Sequence, residues 1–254
     1  MEKFKSVVLV TGAGSGIGQA TAIEFASKGF IVVGCDMSAE GLERTRGLVD
    51  TAQFHPQVVD VRIESQIQAA FEYVKSLGLP LHAVAACAGV ARTSEIHTMD
   101  EREWNFTMGV NVTGVWLTAK YALPIFLEQH HGAFVAVGSD ASVRGATGYS
   151  TYCASKHAVL GLIRCMALDY GDKGVRSNIV CPGFVQTPMM DGLFAASENP
   201  EAEMQAYARE IPIGRFALPS EVAKVISHLA SDEASYTNGA IYNIDGGVTA
   251  GHFG

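Results

Sequence analysis

The chain has 254 residues, 48% hydrophobic and 17% charged, which is enough apolar material for a full core and excludes intrinsic disorder. Its 27 glycines follow no Gly-X-Y period, so they mark tight turns or close backbone approaches rather than a collagen-like fibre. With 18 Lys and Arg against 26 Asp and Glu, the net charge of -8 repels phosphate backbones, and no polybasic run serves an anionic membrane.

A small molecule is therefore the expected partner, with neither nucleic acid nor membrane. Met1-Glu2-Lys3-Phe4-Lys5 is followed by only Ser6–Val10 before Thr11, too short an apolar stretch for a signal peptide. No run of about 18 apolar residues occurs, so no membrane helix is expected and the chain is read as cytoplasmic. Val7–Val10 reads as the first strand, and 15–28 as a helix carrying Ile17, Ala20, Ile23 and Phe25 at helical spacing. Phe30–Cys35 is a β-branched strand, 41–50 a weak helix, Gln57–Val61 a strand and 64–77 a helix. His82–Ala88, Gly132–Val137, Arg176–Cys181 and Ala240–Ile244 complete the strands; helices fill 101–128, 151–170 and 219–230, the last opened by Pro219-Ser220-Glu221 with Ser220 able to cap it. Continuous apolar strands are buried on both faces. Their alternation with helices predicts an α/β, doubly wound Rossmann-like fold: a seven-stranded, mostly parallel sheet with helices on both faces. No linker or repeat divides 1–254, which is read as one domain. The cysteines at 35, 87, 153, 165 and 181 sit mostly in apolar segments without a CxxC and read as reduced small hydrophobes.

Thr11-Gly12-Ala13-Gly14-Ser15-Gly16-Ile17-Gly18 lies between the first strand and the first helix. A pyrophosphate needs backbone N–H donors with no side chain in the way, and glycines at a helix N-terminus provide them. Asp36 ends the second strand, where a carboxylate accepts both ribose hydroxyls and repels a 2′-phosphate. Neither Ser15 nor Met37 supplies a cation for such a phosphate, so the expected cofactor is NAD. Tyr152 and Lys156 are four residues apart and share a helical face. A free phenol titrates near about 10, and an ammonium beside it favours the phenolate a base requires. His130 and His131 are adjacent and do not share a helical face; no metal site is expected.

Taken in order, Thr11–Gly18, Asp60-Val61, Asn111, Ser139, Tyr152 with Lys156, and Pro182-Gly183 resemble the short-chain dehydrogenase/reductase family, of NAD-preferring alcohol dehydrogenase type, over nearly the whole chain. The resemblance implies that Tyr152 is the general acid/base, that Lys156 lowers its pKa and binds the nicotinamide ribose, and that Ser139 bonds the substrate oxygen. It implies that Asn111 holds a relay water. Asp60 and Val61 would flank the adenine, and Val185 and Thr187 the carboxamide. The implied cofactor set is Gly12, Ser15, Gly16, Ile17, Gly18, Asp36, Met37, Asp60, Val61, Ala88, Gly89, Tyr152, Lys156, Val185 and Thr187. Homo-oligomers, tetramers or dimers, would form through helices 101–128 and 151–170, with the apolar tail Val248–Gly254 docking on another subunit. Where the family commonly has Asn-Asn-Ala-Gly, this chain has Ala86-Cys87-Ala88-Gly89, which removes two sheet-tying amides and places a thiol near the cofactor.

A specificity loop is implied at about 184–215. Its Met190 and Phe194, with Val143 and Tyr149, are the expected substrate contacts beside Ser139. These residues favour a neutral, fairly hydrophobic secondary alcohol or ketone, cyclic and aromatic ones among them. Two alternatives stand: a reductase of 3-oxoacyl thioesters, and a catalytically inactive dinucleotide-sensing binding protein.

Overall fold

The computed structural model describes residues 6–194 and 199–251. The signal-peptide reading of Met1–Lys5 and the end of the tail, 252–254, lie outside the described residues. Seven strands, β1 (Val7–Thr11), β2 (Ile31–Asp36), β3 (Phe54–Val58), β4 (Leu81–Ala86), β5 (Gly132–Val137), β6 (Val175–Pro182) and β7 (Ile241–Ile244), form one sheet in the order β3-β2-β1-β4-β5-β6-β7. Every pairing is parallel. The helices are α1 (Gly16–Ser27), α2 (Ala39–Arg46), α3 (Glu64–Ser76), α4 (Glu101–Met108), α5 (Gly114–Gln129), α6 (Ser150–Tyr170), α7 (Pro188–Phe194), α8 (Pro200–Arg209) and α9 (Pro219–Ala230).

Alternate strand residues face opposite layers, as the pleat requires. Val7, Leu9, Val33, Val84, Phe134 and Ile179 meet α3, α5 and α6 through Phe71, Phe126 and Ile163. Val8, Val10, Val32, Ala85, Val135 and Val180 meet α1 and α9 through Phe25, Val222 and Ile226. Each fully buried side chain of this size contributes about 1.5–3 kcal/mol of transfer free energy. The order turns back between β1 and β4, and at such a switch point a crevice opens beyond the carboxyl ends of the strands. Thr11 ties it shut from below: its Oγ1 accepts from the N–H groups of Cys87 (3.1 Å) and Ala88 (3.2 Å). Backbone amides thus fasten β4 to β1 where the family's asparagines are missing.

Besides shifts of a few residues at element ends, such as α2 at Ala39–Arg46 instead of 41–50, three features differ from expectation. β3 runs over Phe54–Val58 instead of Gln57–Val61, because its register on β2 ends at the Asp36–Val58 pair; Pro56 is tolerated since β3 is an edge strand. The expected helix 101–128 is α4 and α5 joined by a π-helical turn, Gly109–Thr113, which carries Asn111. Ser220 does not cap α9. Pro219 opens the helix as expected, but the cap is the Glu221 side chain, which turns back to accept from the Leu218 N–H at 2.8 Å. Among the described residues, Glu101–Gln129 is the one helical stretch long and apolar enough to cross a membrane; its most apolar 18-residue window has a mean hydropathy of 1.2, and half of that window is buried against the rest of the chain.

Candidate active site

A cavity of about 310 Å³ opens at the switch point. It is lined by Gly12, Ser15, Gly16, Ile17 and Gly18 of the first turn and by Asp36, Met37, Asp60 and Val61 from the ends of β2 and β3. Ala88, Gly89, Ser139, Tyr152, Lys156, Val185, Thr187 and Met190 complete the expected part of the wall. Gly12 has φ +72°, and a Cβ there would come within 2.9 Å of the Ala88 backbone. A Cβ on Gly18 would sit 2.0 Å from the Gly12 carbonyl oxygen. No side chain but hydrogen fits at either position, so bare backbone lines the turn. Ser15, the N-cap of α1, bonds none of the first amides with its side chain. This is the donor set an anionic diphosphate needs.

Asp36 is fixed from both oxygens: Oδ2 accepts from Gly14 N–H and Oδ1 from Ser38 N–H, each at 2.9 Å. Asp36 also lines the cavity wall. Arg62 also lines the cavity and was not among the expected residues. Its Nε donates to both Asp60 oxygens at 2.9 and 3.1 Å, which holds the Asp60 carboxyl below its ordinary range. Its guanidinium also lies 4.8 Å from the Phe106 ring centre, with Arg92 4.7 Å from the same centre.

Tyr152 and Lys156 project from the first turns of α6, four residues apart. Burial pushes the Tyr152 phenol up to about 12, with the neighbouring Ser139 hydroxyl acting in the opposite sense. Burial pulls the Lys156 ammonium down to about 8. Its Nζ lies 5.6 Å from the centre of the Tyr152 ring and donates to the Val137 carbonyl at 2.9 Å. Among the chain's own groups burial dominates, and it keeps the Tyr152 phenol in its neutral form.

Four expected residues do not line the cavity. Asn111 is buried; its Nδ2 donates to Val90 O and Ser155 Oγ and its Oδ1 accepts from Val90 N–H, all at 2.9 Å. Tyr149 is half-buried beside the cavity, edge-on to Tyr152 with ring centres 6.1 Å apart. Val143 is 40% exposed after the short 3-10 turn Asp140–Ser142. Phe194 is a correction: its side chain is buried with Ile211 and Phe216, stacked on the Phe216 ring at 6.3 Å. An aromatic ring that large finds more contact inside the loop's own small core than at its surface. Met189, Val90, Phe106, Val110 and Cys87 line the wall as well. Phe106 on α4 and Val110 on the π-helical turn carry no sequence pattern that sets them apart from core residues, whereas the sequence already places Cys87 near the cofactor. Burial pushes the Cys87 thiol up to about 12, which suppresses the thiolate that thiol reagents attack. All five described cysteines are free thiols. Among the described residues no three His, Cys, Asp or Glu side chains converge as a metal-binding group.

A parallel sheet with a glycine-lined crevice at its switch point, closed by a serine, a tyrosine and a lysine, defines a dinucleotide-binding oxidoreductase. Residues 12–249 match the family model described as enoyl-(acyl carrier protein) reductase. The chain belongs to the short-chain dehydrogenase/reductase family, whose members bind a nicotinamide dinucleotide. It is 36% identical over 247 residues to the 3-oxoacyl-(acyl-carrier-protein) reductase FabG of Thermotoga maritima, covering 95% of this chain and 97% of that one. It is 34% identical over 261 residues to the cyclohexanol dehydrogenase of an Acinetobacter species, covering 98% and 100%. A solved structure of levodione reductase, 33% identical, superposes with a TM-score of 0.94 over 98% of this chain and 100% of that one.

Proposed function

We propose that this oxidoreductase transfers a hydride between NAD(H) and a neutral, fairly hydrophobic secondary alcohol or its ketone. The observation that carries the reading is one cavity walled by Ser139, Tyr152 and Lys156, by Met189 and Met190, and by Asp36 at its far reach. The glycine turn and the α1 N-terminus hold the diphosphate, and Asp36 takes the adenosine ribose. Arg62, a cation on the cavity wall, is already paired with Asp60, which weakens its pull on a 2′-phosphate. Val185 and Thr187 meet the carboxamide. When bound, the oxidised nicotinamide supplies the hydride acceptor and a positive charge beside the phenol.

Tyr152 takes the proton from the alcohol hydroxyl, or returns it to the carbonyl oxygen, and Ser139 orients that oxygen. Lys156 receives the proton through a water at the free lone pair of Asn111 Oδ1; a Cβ on Gly89 would stand 3.5 Å from both Asn111 Oδ1 and Lys156 Nζ, so the two groups converge there. Met189 and Met190 offer a soft apolar contact. The relative named for cyclohexanol supports a cyclic alcohol. The likeness to FabG, and to a ketoreductase solved with NADPH, favours the second reading, reduction of a 3-oxoacyl thioester, against which Asp36 stands. The protein works as a homo-oligomer, assembled through the outer faces of α5 and α6.

Initial rates of NADH and NADPH formation over a panel of secondary alcohols test the proposal. Turnover with NAD on apolar alcohols is expected. Tyr152→Phe should lose about 10²–10⁴-fold in rate while still binding NAD. Asp36→Ala should weaken NAD about ten-fold or more and narrow the gap to NADP. NADP preference with thioester turnover would select the second reading. NAD binding without any turnover would select a dinucleotide-sensing binding protein.

A further inference from the structure

Ser139 has a single hydroxyl proton, and two acceptors compete for it. One is the Tyr152 oxygen once that group is deprotonated. The other is Asp140 Oδ1, 2.8 Å away, and a carboxylate can only accept. Asp140 is itself pinned: Oδ1 accepts from Ala141 N–H at 2.8 Å, and Oδ2 accepts from Arg144 Nε at 3.0 Å and from its Nη2. The Asp140 side chain is 15% exposed and that of Arg144 41%, so the carboxylate is held from the solvent side by a cation in partial contact with water.

We propose that Asp140 is a positioning residue for the proton-transfer step: it takes the Ser139 proton, presents Ser139 to Tyr152 as an acceptor, and so favours the protonated phenol, with Arg144 tempering its charge. This rests on the reading of Tyr152 as the acid/base. The charge of Asp140 and the burial of Tyr152 act in the same direction, and a proton donated by Ser139 would act against both. The other groups around Tyr152 are Cys153 and Lys156 on its own helix and Tyr149 at its start, with Tyr207 of α8 facing Tyr149. Cys87 and Cys181 face Lys156 from the ends of β4 and β6. Asp140 is the carboxylate in this set. A favoured phenol suits proton return to a carbonyl oxygen and moves alcohol oxidation to more alkaline solution.

The test is the pH dependence of kcat/KM for alcohol oxidation, together with the pH at which NAD binding releases half a proton, read with an indicator dye. Asp140→Asn keeps an oxygen for Ala141 N–H and removes the charge. Both midpoints should fall by roughly one pH unit, the effect of one charge a few ångströms away in a partly screened site. Arg144→Met leaves the carboxylate uncompensated and should raise both. If Asp140→Asn fails to fold, the sign of the Arg144→Met shift decides alone. Midpoints unchanged in the folded variants, or moved in the same direction by both substitutions, would overturn the proposal. Full activity in Tyr152→Phe would instead remove the acid/base reading beneath it, so the two failures are distinguishable.

Discussion

Tyr152 and Lys156 are both moved toward their neutral forms by burial, the phenol up to about 12 and the ammonium down to about 8. An unfolded lysine titrates near about 10.4. Between about pH 8 and 10.4 the unfolded chain therefore binds the extra proton, and folding stability rises with pH across that window. The contribution is complete above the unfolded value and is lost as pH falls through about 8. Lys156 should add up to about 1.4 kcal/mol per pH unit there. For Tyr152 the sign reverses: its folded value lies above its unfolded one, so stability falls from about pH 10 to 12. Denaturant unfolding of the cofactor-free chain at pH 8 and pH 10 checks the first part, since Lys156→Met should flatten the rise. The residue types at 152 and 156 and their spacing were legible in the sequence. Their titration was not, because it depends on the strands and helices that exclude water from them.

The first strand, glycine turn and first helix form one device whose backbone must pass within contact of itself. A Cβ on Gly18 would meet the Gly12 carbonyl at 2.0 Å, and the neighbour it meets is backbone that cannot step aside. Gly18→Ala should therefore cost at least about 2 kcal/mol of stability, in the range of overpacked cores, and should abolish NAD binding. Thermal unfolding and a binding titration measure both; native stability with intact binding would show that the turn adapts. The turn was readable because its glycines are spaced for a strand-to-helix junction. The π turn at Asn111 was not, since a helix with one extra residue per turn has no composition of its own. It is defined by what Asn111 reaches, Val90 on a loop and Ser155 on α6. The loop at 184–215 divides the same way. Met190 lines the cavity as expected, joined by Met189, whereas Phe194 turns inward to Ile211 and Phe216.

The two cores lie on opposite faces of the sheet, yet the outer sides of α5 and α6 remain apolar. Trp116 is 47% exposed, and together with Leu123, Leu127, Leu162 and Met166 it lines a groove running along both helices. A stripe of this kind on the helices proposed to assemble the oligomer is best buried against its own copy. Trp116→Glu should dissociate the assembly in sedimentation velocity, leaving the far-ultraviolet spectrum unchanged. An oligomer of undiminished size would show that assembly uses another face.

Runs such as Val7–Val10 and Gly132–Val137 specify buried parallel strands because only burial on both faces makes every residue apolar. Gly12 and Gly18 specify a turn of bare backbone because close backbone approach admits no side chain. Properties of that order are local, and the amino-acid order carried them without help. The grip of Asp140 on Ser139, the pairing of Arg62 with Asp60, the inward turn of Phe194 and the neutralising burial of Lys156 all depend on groups that chain order does not pair in advance or on water excluded by distant elements. Energies set by desolvation and by a choice among competing hydrogen-bond partners exist only once the sheet and its helices have closed around them.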